Sequence, residues 1–132
     1  TYYTPFDKED PELNRRTVYR FSPRGQRSAI LDAFDCPDPS TTAPKRSVTT
    51  TPIQALALFN NAFVLRMADG FADRLRKESK SLNEQVQRAY ELAYARDPDE
   101  EEVKLGLEIS QNHGLNALCR VLFNSNEFVV IE

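Results

Sequence analysis

Thr51-Pro52-Ile53-Gln54-Ala55-Leu56-Ala57-Leu58-Phe59-Asn60-Asn61 reads as the opening of a helix. Thr51 is placed to accept a hydrogen bond from the backbone of Gln54, and Gln54 to reach back to Thr51. Pro52 occupies the first helical position, where a missing N–H costs nothing. Apolar residues then recur at Ile53, Leu56, Ala57, Phe63, Val64, Met67, Phe71 and Leu75, which is helical spacing with one face turned to a core. Asn60 falls on that face. Two readings of Asn60-Asn61 stand side by side: a cap at a break between two helices, or a buried hydrogen-bonding Asn60. Gly70 weakens the expectation of one straight helix by about 1 kcal/mol of propensity.

Helix starts recur downstream. Ser81-Leu82-Asn83-Glu84 is a second capping box, followed by Leu82, Val86, Ala89, Tyr90 and Ala93 at helical intervals. Asp99 to Glu102 is a third start, an Asp cap with acids in the first turn, where they complement the helix dipole. That helix is expected to run to about Asn112, with Gly114 placed to end it. His113, the single histidine, reads as a helix-end residue. Leu115, Leu118, Cys119, Leu122 and Phe123 form the stripe of a last helix, which Asn124-Ser125-Asn126 stops. Phe128 to Ile131 reads as a short apolar tail.

Upstream of residue 50 the chain changes character. Most of the eight prolines lie there, and each fixes φ and removes a backbone donor. One short helix is expected over Arg27–Phe34, after a brief extended stretch at Val18, Tyr19 and Phe21. Phe34-Asp35-Cys36-Pro37-Asp38-Pro39-Ser40 carries Asx and proline turn chemistry throughout.

The resulting expectation is an all-α fold, an antiparallel bundle of about four to five helices built from residues 51–132. Residues 1–50 form an extended, proline-rich segment wrapping it, and the 132 residues form one domain. The start at Thr1-Tyr2-Tyr3, without Met, is read as a cut in a longer protein, and Tyr2, Tyr3 and Phe6 as aromatics that faced a missing upstream domain. Apolar residues make up 40% and charged residues 28%, the balance of a globular chain. A net charge of −3 argues against a general nucleic-acid binder. No apolar run approaches the ~20 residues needed to span a membrane.

Few residues offer chemistry. With one histidine, a Ser-His-Asp triad has almost nothing to stand on. No Cys-x-x-Cys-His, zinc spacing, P-loop or dinucleotide glycine pattern is present, so no cofactor is expected in this chain. Asp32, Asp35 and Asp38 recur every three residues, but not with the spacing of a calcium loop, and read first as turn caps. Arg15, Arg16, Arg20, Arg24 and Arg27 have no acid between them. Such a cluster suits an anion or an acidic partner, with internal ion pairing the favoured reading; Arg15, Arg16 and Arg20 are the candidate contacts. Cys36 and Cys119 are compatible with one disulfide or with two free thiols. A bridge would be worth about 4 kcal/mol by loop entropy, and two separate small hydrophobes are the slightly favoured reading.

Four segments carry a resemblance. Asn14–Tyr19, Phe34–Ser40, Arg46–Asn61 and Leu118–Phe128 resemble the C-terminal part of a planctomycete-type domain of unknown function. That family typically follows a cytochrome-c-like domain and another uncharacterised domain in large exported proteins. The likeness extends from about residue 14 to 130, with Arg96-Asp97-Pro98-Asp99 replacing the family's usual Arg-Pro-Pro-Thr-like turn. The resemblance implies export to the periplasm or beyond, upstream domains of the same polypeptide as partners, and any haem in other parts of the parent. It supplies no catalytic residues. The expected function is a structural or binding module with Asp35, Cys36, Asp38, Thr51, Gln54, Asn60 and Asn61 as its structural motif. The alternatives are part of an enzyme acting on an anionic polysaccharide, using Arg15, Arg16, Asp35 and Asp38, or a redox-linked module using Cys36 and Cys119.

Overall fold

A computed structural model describes residues 16–19, 29–38, 40–45, 49 and 51–130. The described residues form seven α-helices and no strand: α1 (Ala29–Ala33), α2 (Pro52–Asn60), α3 (Ala62–Glu78), α4 (Leu82–Tyr94), α5 (Glu100–His113), α6 (Leu115–Phe123) and α7 (Asn126–Val129). None is long and apolar enough to cross a membrane. Two compact units divide the chain, Thr1–Ala57 and Leu58–Glu132, so the boundary falls within α2 rather than at residue 50.

In the first unit, α1 lies within the expected 27–34, with Phe34 already in the turn that follows it. Arg27 lies outside the described residues, as does much of the segment expected to wrap the bundle. Val18 and Tyr19 are not extended. They sit in a 3-10 turn, Thr17–Tyr19, closed by Tyr19 N–H donating to the Arg16 carbonyl at 2.9 Å, and both are exposed. Phe21 lies outside the described residues.

The start of α2 follows the local code. Gln54 N donates to Thr51 Oγ1 at 3.4 Å, and Thr51 N donates to Gln54 Oε1 at 3.2 Å, a reciprocal capping box. Its apolar pattern behaves differently from expectation: no residue of α2 is buried, and Ile53 and Leu56 are 67% and 60% exposed. The helix ends at Asn60: Asn61 takes an extended conformation and its Oδ1 accepts from Phe63 N at 2.9 Å, so α3 starts afresh. Asn60 is exposed at the last position of α2, which excludes the reading of it as a buried polar link.

The second unit holds the core. Ala68, Ala72 and Leu75 of α3, Val86, Ala89 and Tyr90 of α4, and Leu115, Leu118, Cys119 and Leu122 of α6 are buried together. The most extensive pairing is α3 with α6, then α5 with α6 and α4 with α5. Both later capping boxes form. Ser81 and Glu84 bond reciprocally at the start of α4, and Asp99 and Glu102 at the start of α5. Gly114, at φ 88°, ends α5 and leads directly into α6. The apolar tail at 128–131 is in part a further helical turn, α7, capped by Ser125.

Two helix-interior glycines have opposite physical roles. Gly70 is exposed on α3 and a Cβ there would meet nothing within 4 Å. At Gly106 on α5 an added Cβ would lie 2.7 Å from Val86 Cγ1. Val86 is fully buried and stiff at χ1, so it cannot swing away. Gly70→Ala is therefore expected to stabilise the chain by about 0.5–1 kcal/mol, and Gly106→Ala to destabilise it by about 1–3 kcal/mol through overpacking. Urea denaturation of the two variants reads both signs. Combining Gly106→Ala with Val86→Ala should cost less than the sum of the single changes, because the second supplies the room the first lacks.

Candidate functional site

The turn after α1 brings together the sequence motifs of the first unit. Cys36 N donates to the Leu31 carbonyl at 3.0 Å and Asp35 N to the Asp32 carbonyl at 3.3 Å. These are the two bonds of a Schellman helix end, in which one residue takes the left-handed conformation. Here that residue is Asp35, at φ 56°. Glycine usually fills such a position, and aspartate adopts it at a small steric cost.

The carboxylate has a use that glycine lacks. Thr49 N donates to Asp35 Oδ2 at 2.7 Å, and Thr49 Oγ1 lies 2.9 and 2.8 Å from the two carboxylate oxygens. Gln54 Nε2 approaches Asp35 Oδ2 at 3.5 Å and donates to Thr49 Oγ1 at 3.2 Å. One side chain thus ties the end of α1 to Thr49, and through Gln54 to the capping box of α2. Asp38 makes an Asx-type turn of its own, accepting from Ser40 N at 2.8 Å and Ser40 Oγ at 2.6 Å.

A cavity of about 270 Å³ beside this turn is lined by Asp32, Asp35, Cys36, Pro37, Ala43 and Lys45. It combines carboxylates, one thiol and one amine. Among the described residues no group of three or more His, Cys, Asp or Glu side chains converges as metal ligands. Arg16 is exposed, while Arg15 and Arg20, the other candidate anion contacts, lie outside the described residues.

The two cysteines are free thiols with opposite surroundings: Cys36 is exposed, and Cys119 is buried in α6. Burial pushes the Cys119 thiol up to about 12, against a smaller opposing pull from Arg76. A bridge to Cys119 would first require the bundle to open.

The second unit contains a polar cluster that the sequence pattern did not single out. Arg96, in the connection after α4, donates from Nη1 and Nη2 to Glu102 at 2.8 and 2.7 Å. It donates from Nε and Nη2 to Glu127 at 2.6 and 2.9 Å. Its guanidinium carbon lies 5.4 Å from the Tyr94 ring centroid. Hydrogen bonds from Arg96 hold both carboxyls below the usual carboxylate range. Burial raises Tyr90 and Tyr94 above the ordinary tyrosine value. Elsewhere in this unit, Arg120 Nε donates to the Phe59 carbonyl at 3.0 Å and its guanidinium carbon sits 3.9 Å from the Phe59 ring centroid. A cation thereby closes the C-terminus of α2.

The Asp35–Thr49 bond and the Arg96 pairs join residues 14, 6 and 31 positions apart, respectively. Local periodicity carries no signal for such pairs. The unusual Asp at a helix end before Cys-Pro was the available clue for the first.

Two outcomes follow from these environments. A thiol reagent is expected to modify Cys36 alone in the folded chain and both cysteines in denaturant, read by intact mass; labelling of Cys119 at the rate of Cys36 would contradict its burial. Glu102 and Glu127 have folded values below their unfolded ones. Their contribution is therefore present above the unfolded carboxylate value and lost as pH falls through the folded one. Arg96→Gln should flatten the acid side of the stability profile, modestly, because the pairs are solvent-screened.

Comparison with known proteins adds one relationship. Neither a curated protein nor a solved structure gives a significant match to the chain. The PSD1 family, described as "Protein of unknown function (DUF1553)", matches residues 2–110, which takes in the Asp35 turn, the Thr51 capping box and the helices up to Ser110 of α5; the chain belongs to that family.

Proposed function

We propose that the chain serves as a structural or binding module of an exported multidomain protein, with upstream domains of the same polypeptide as its partners. The observation that carries this reading is the use of the Asp35 carboxylate. It accepts from Thr49 and Gln54, and so occupies with internal hydrogen bonds the residue that an acid–base mechanism would need to turn toward a substrate. The Asp38 carboxylate is likewise engaged, by Ser40. Placing an aspartate at a left-handed position is unfavourable locally, and three donors converging on it offset that cost. The resemblance to a domain found in exported, multidomain proteins supports the same reading.

Asp35→Gly separates the structural role from a catalytic one. Glycine removes the carboxylate while fitting the left-handed backbone better than aspartate does. A structural clamp predicts a loss of about 1 kcal/mol and faster amide exchange at Thr49. Thr49→Val should produce a similar loss, and the double variant less than the sum. A catalytic aspartate held under strain predicts the reverse, stability unchanged or raised on its removal, and that result would overturn the proposal.

A further inference from the structure

The short helix α7 is attached to the bundle in an unusual way for so well-packed a unit. None of its residues is buried, and Phe128, Val129 and Val130 are 42%, 39% and 58% exposed. It is held instead at three points. Arg96 grips Glu127 with two bonds at 2.6 and 2.9 Å, while its remaining N–H groups grip Glu102. Tyr94 donates its hydroxyl to Ser125 Oγ at 2.8 Å, and Ser125 Oγ accepts from Phe128 N at 3.2 Å. The Phe128 ring lies 4.8 Å from Phe123, which in turn stacks on Phe71 at 5.4 Å. Phe71 and Phe123 pack against the core, so Phe128 is the outermost of three rings leading out from it.

This division of forces has a consequence for how the segment opens. Exposed ion pairs are weak and salt-screened, and a segment with little buried area opens at a small fraction of the global free energy. No residue of the buried core belongs to α7: Leu118, Cys119 and Leu122 sit among buried side chains of α3 and α4. Arg96 also keeps a bidentate partner in Glu102 when Glu127 leaves, so opening strands no unpaired cation.

We propose that α7 is a releasable strap over the aromatic pair Phe71–Phe123, latched by the Arg96–Glu127 ion pair. Loosening the latch uncovers the outer face of Phe123 while α3–α6 stay folded. The strap therefore sets how much aromatic surface this end of the bundle presents.

Amide exchange on the full chain tests the proposal, comparing wild type with Glu127→Gln, which keeps the shape of an exposed side chain and removes its charge. The expected result is a rise of about two- to fivefold in exchange at Phe128, Val129 and Val130, the size of an exposed ion pair. The α6 amides of Leu118, Cys119 and Leu122 should remain unchanged. High salt should produce the same pattern in the wild type and no further change in the variant. Phe128→Ala should release the segment by the other route. Two results overturn the idea. If α7 amides exchange only with global unfolding, α7 is part of the core. If they exchange unprotected in the wild type and are insensitive to Glu127→Gln and to salt, no latch exists.

Discussion

The packing of the α6 stripe against α3 is the constraint on which the second unit depends. Leu115, Leu118, Cys119 and Leu122 line one side of α6 and are all buried. Across from them α3 presents Ala68 and Ala72, which are 2% and 0% exposed, before the larger Leu75. Small side chains on one helix let the bulky stripe of the other approach closely. The same logic repeats where α5 meets α4. Gly106 leaves a Cβ-sized space that Val86 occupies, so the Leu118 side of α6 closes over both. A bundle of short helices, none stable alone, is held by these shared contacts rather than by the propensity of any one helix.

Around that core the polar residues act mainly at ends. Capping boxes at Thr51, Ser81 and Asp99 satisfy the first N–H groups of α2, α4 and α5. Arg120 meets the last carbonyls of α2 with a positive charge, and Arg96 binds the capping glutamate of α5 together with Glu127. Side chains that cap one helix are thus enlisted to hold a second. Arg96 spans the end of α4, the start of α5 and α7 with a single guanidinium, a task suited to its planar fork and beyond a lysine's single ammonium.

In the first unit a comparable economy centres on Asp35. Two of the family-like motifs, Phe34–Ser40 and the segment leading to Thr51, are far apart in sequence. Their joint is a carboxylate that accepts from Thr49 and Gln54. The motif therefore makes physical sense as a helix-end turn locked to Thr49 and Gln54. This accounts for Asp at a left-handed helix end and for Thr and Gln at the positions facing it.

Where the helices begin is written locally in the residues. Ser81 to Glu84, Asp99 to Glu102 and Thr51 to Gln54 each bring donor and acceptor within three residues, so the code is local and was readable. The α6 stripe was readable for the same reason, as was the stop at Gly114. What tertiary structure alone decided was which apolar residues are covered. Ile53 and Leu56 share the periodicity of a core face yet remain exposed, because periodicity decides which residues share a face and not whether another element covers it. Ala68, Ala72 and Gly106 drew no notice in the sequence, yet they stand at the closest approaches, since smallness matters only once a neighbour arrives. Asp35 finds partners 14 and 19 residues away in Thr49 and Gln54, and Arg96 one 31 residues away in Glu127. Chain folding, and no local pattern, brings those groups together, because a hydrogen bond or ion pair is specified by distance in space and not along the chain.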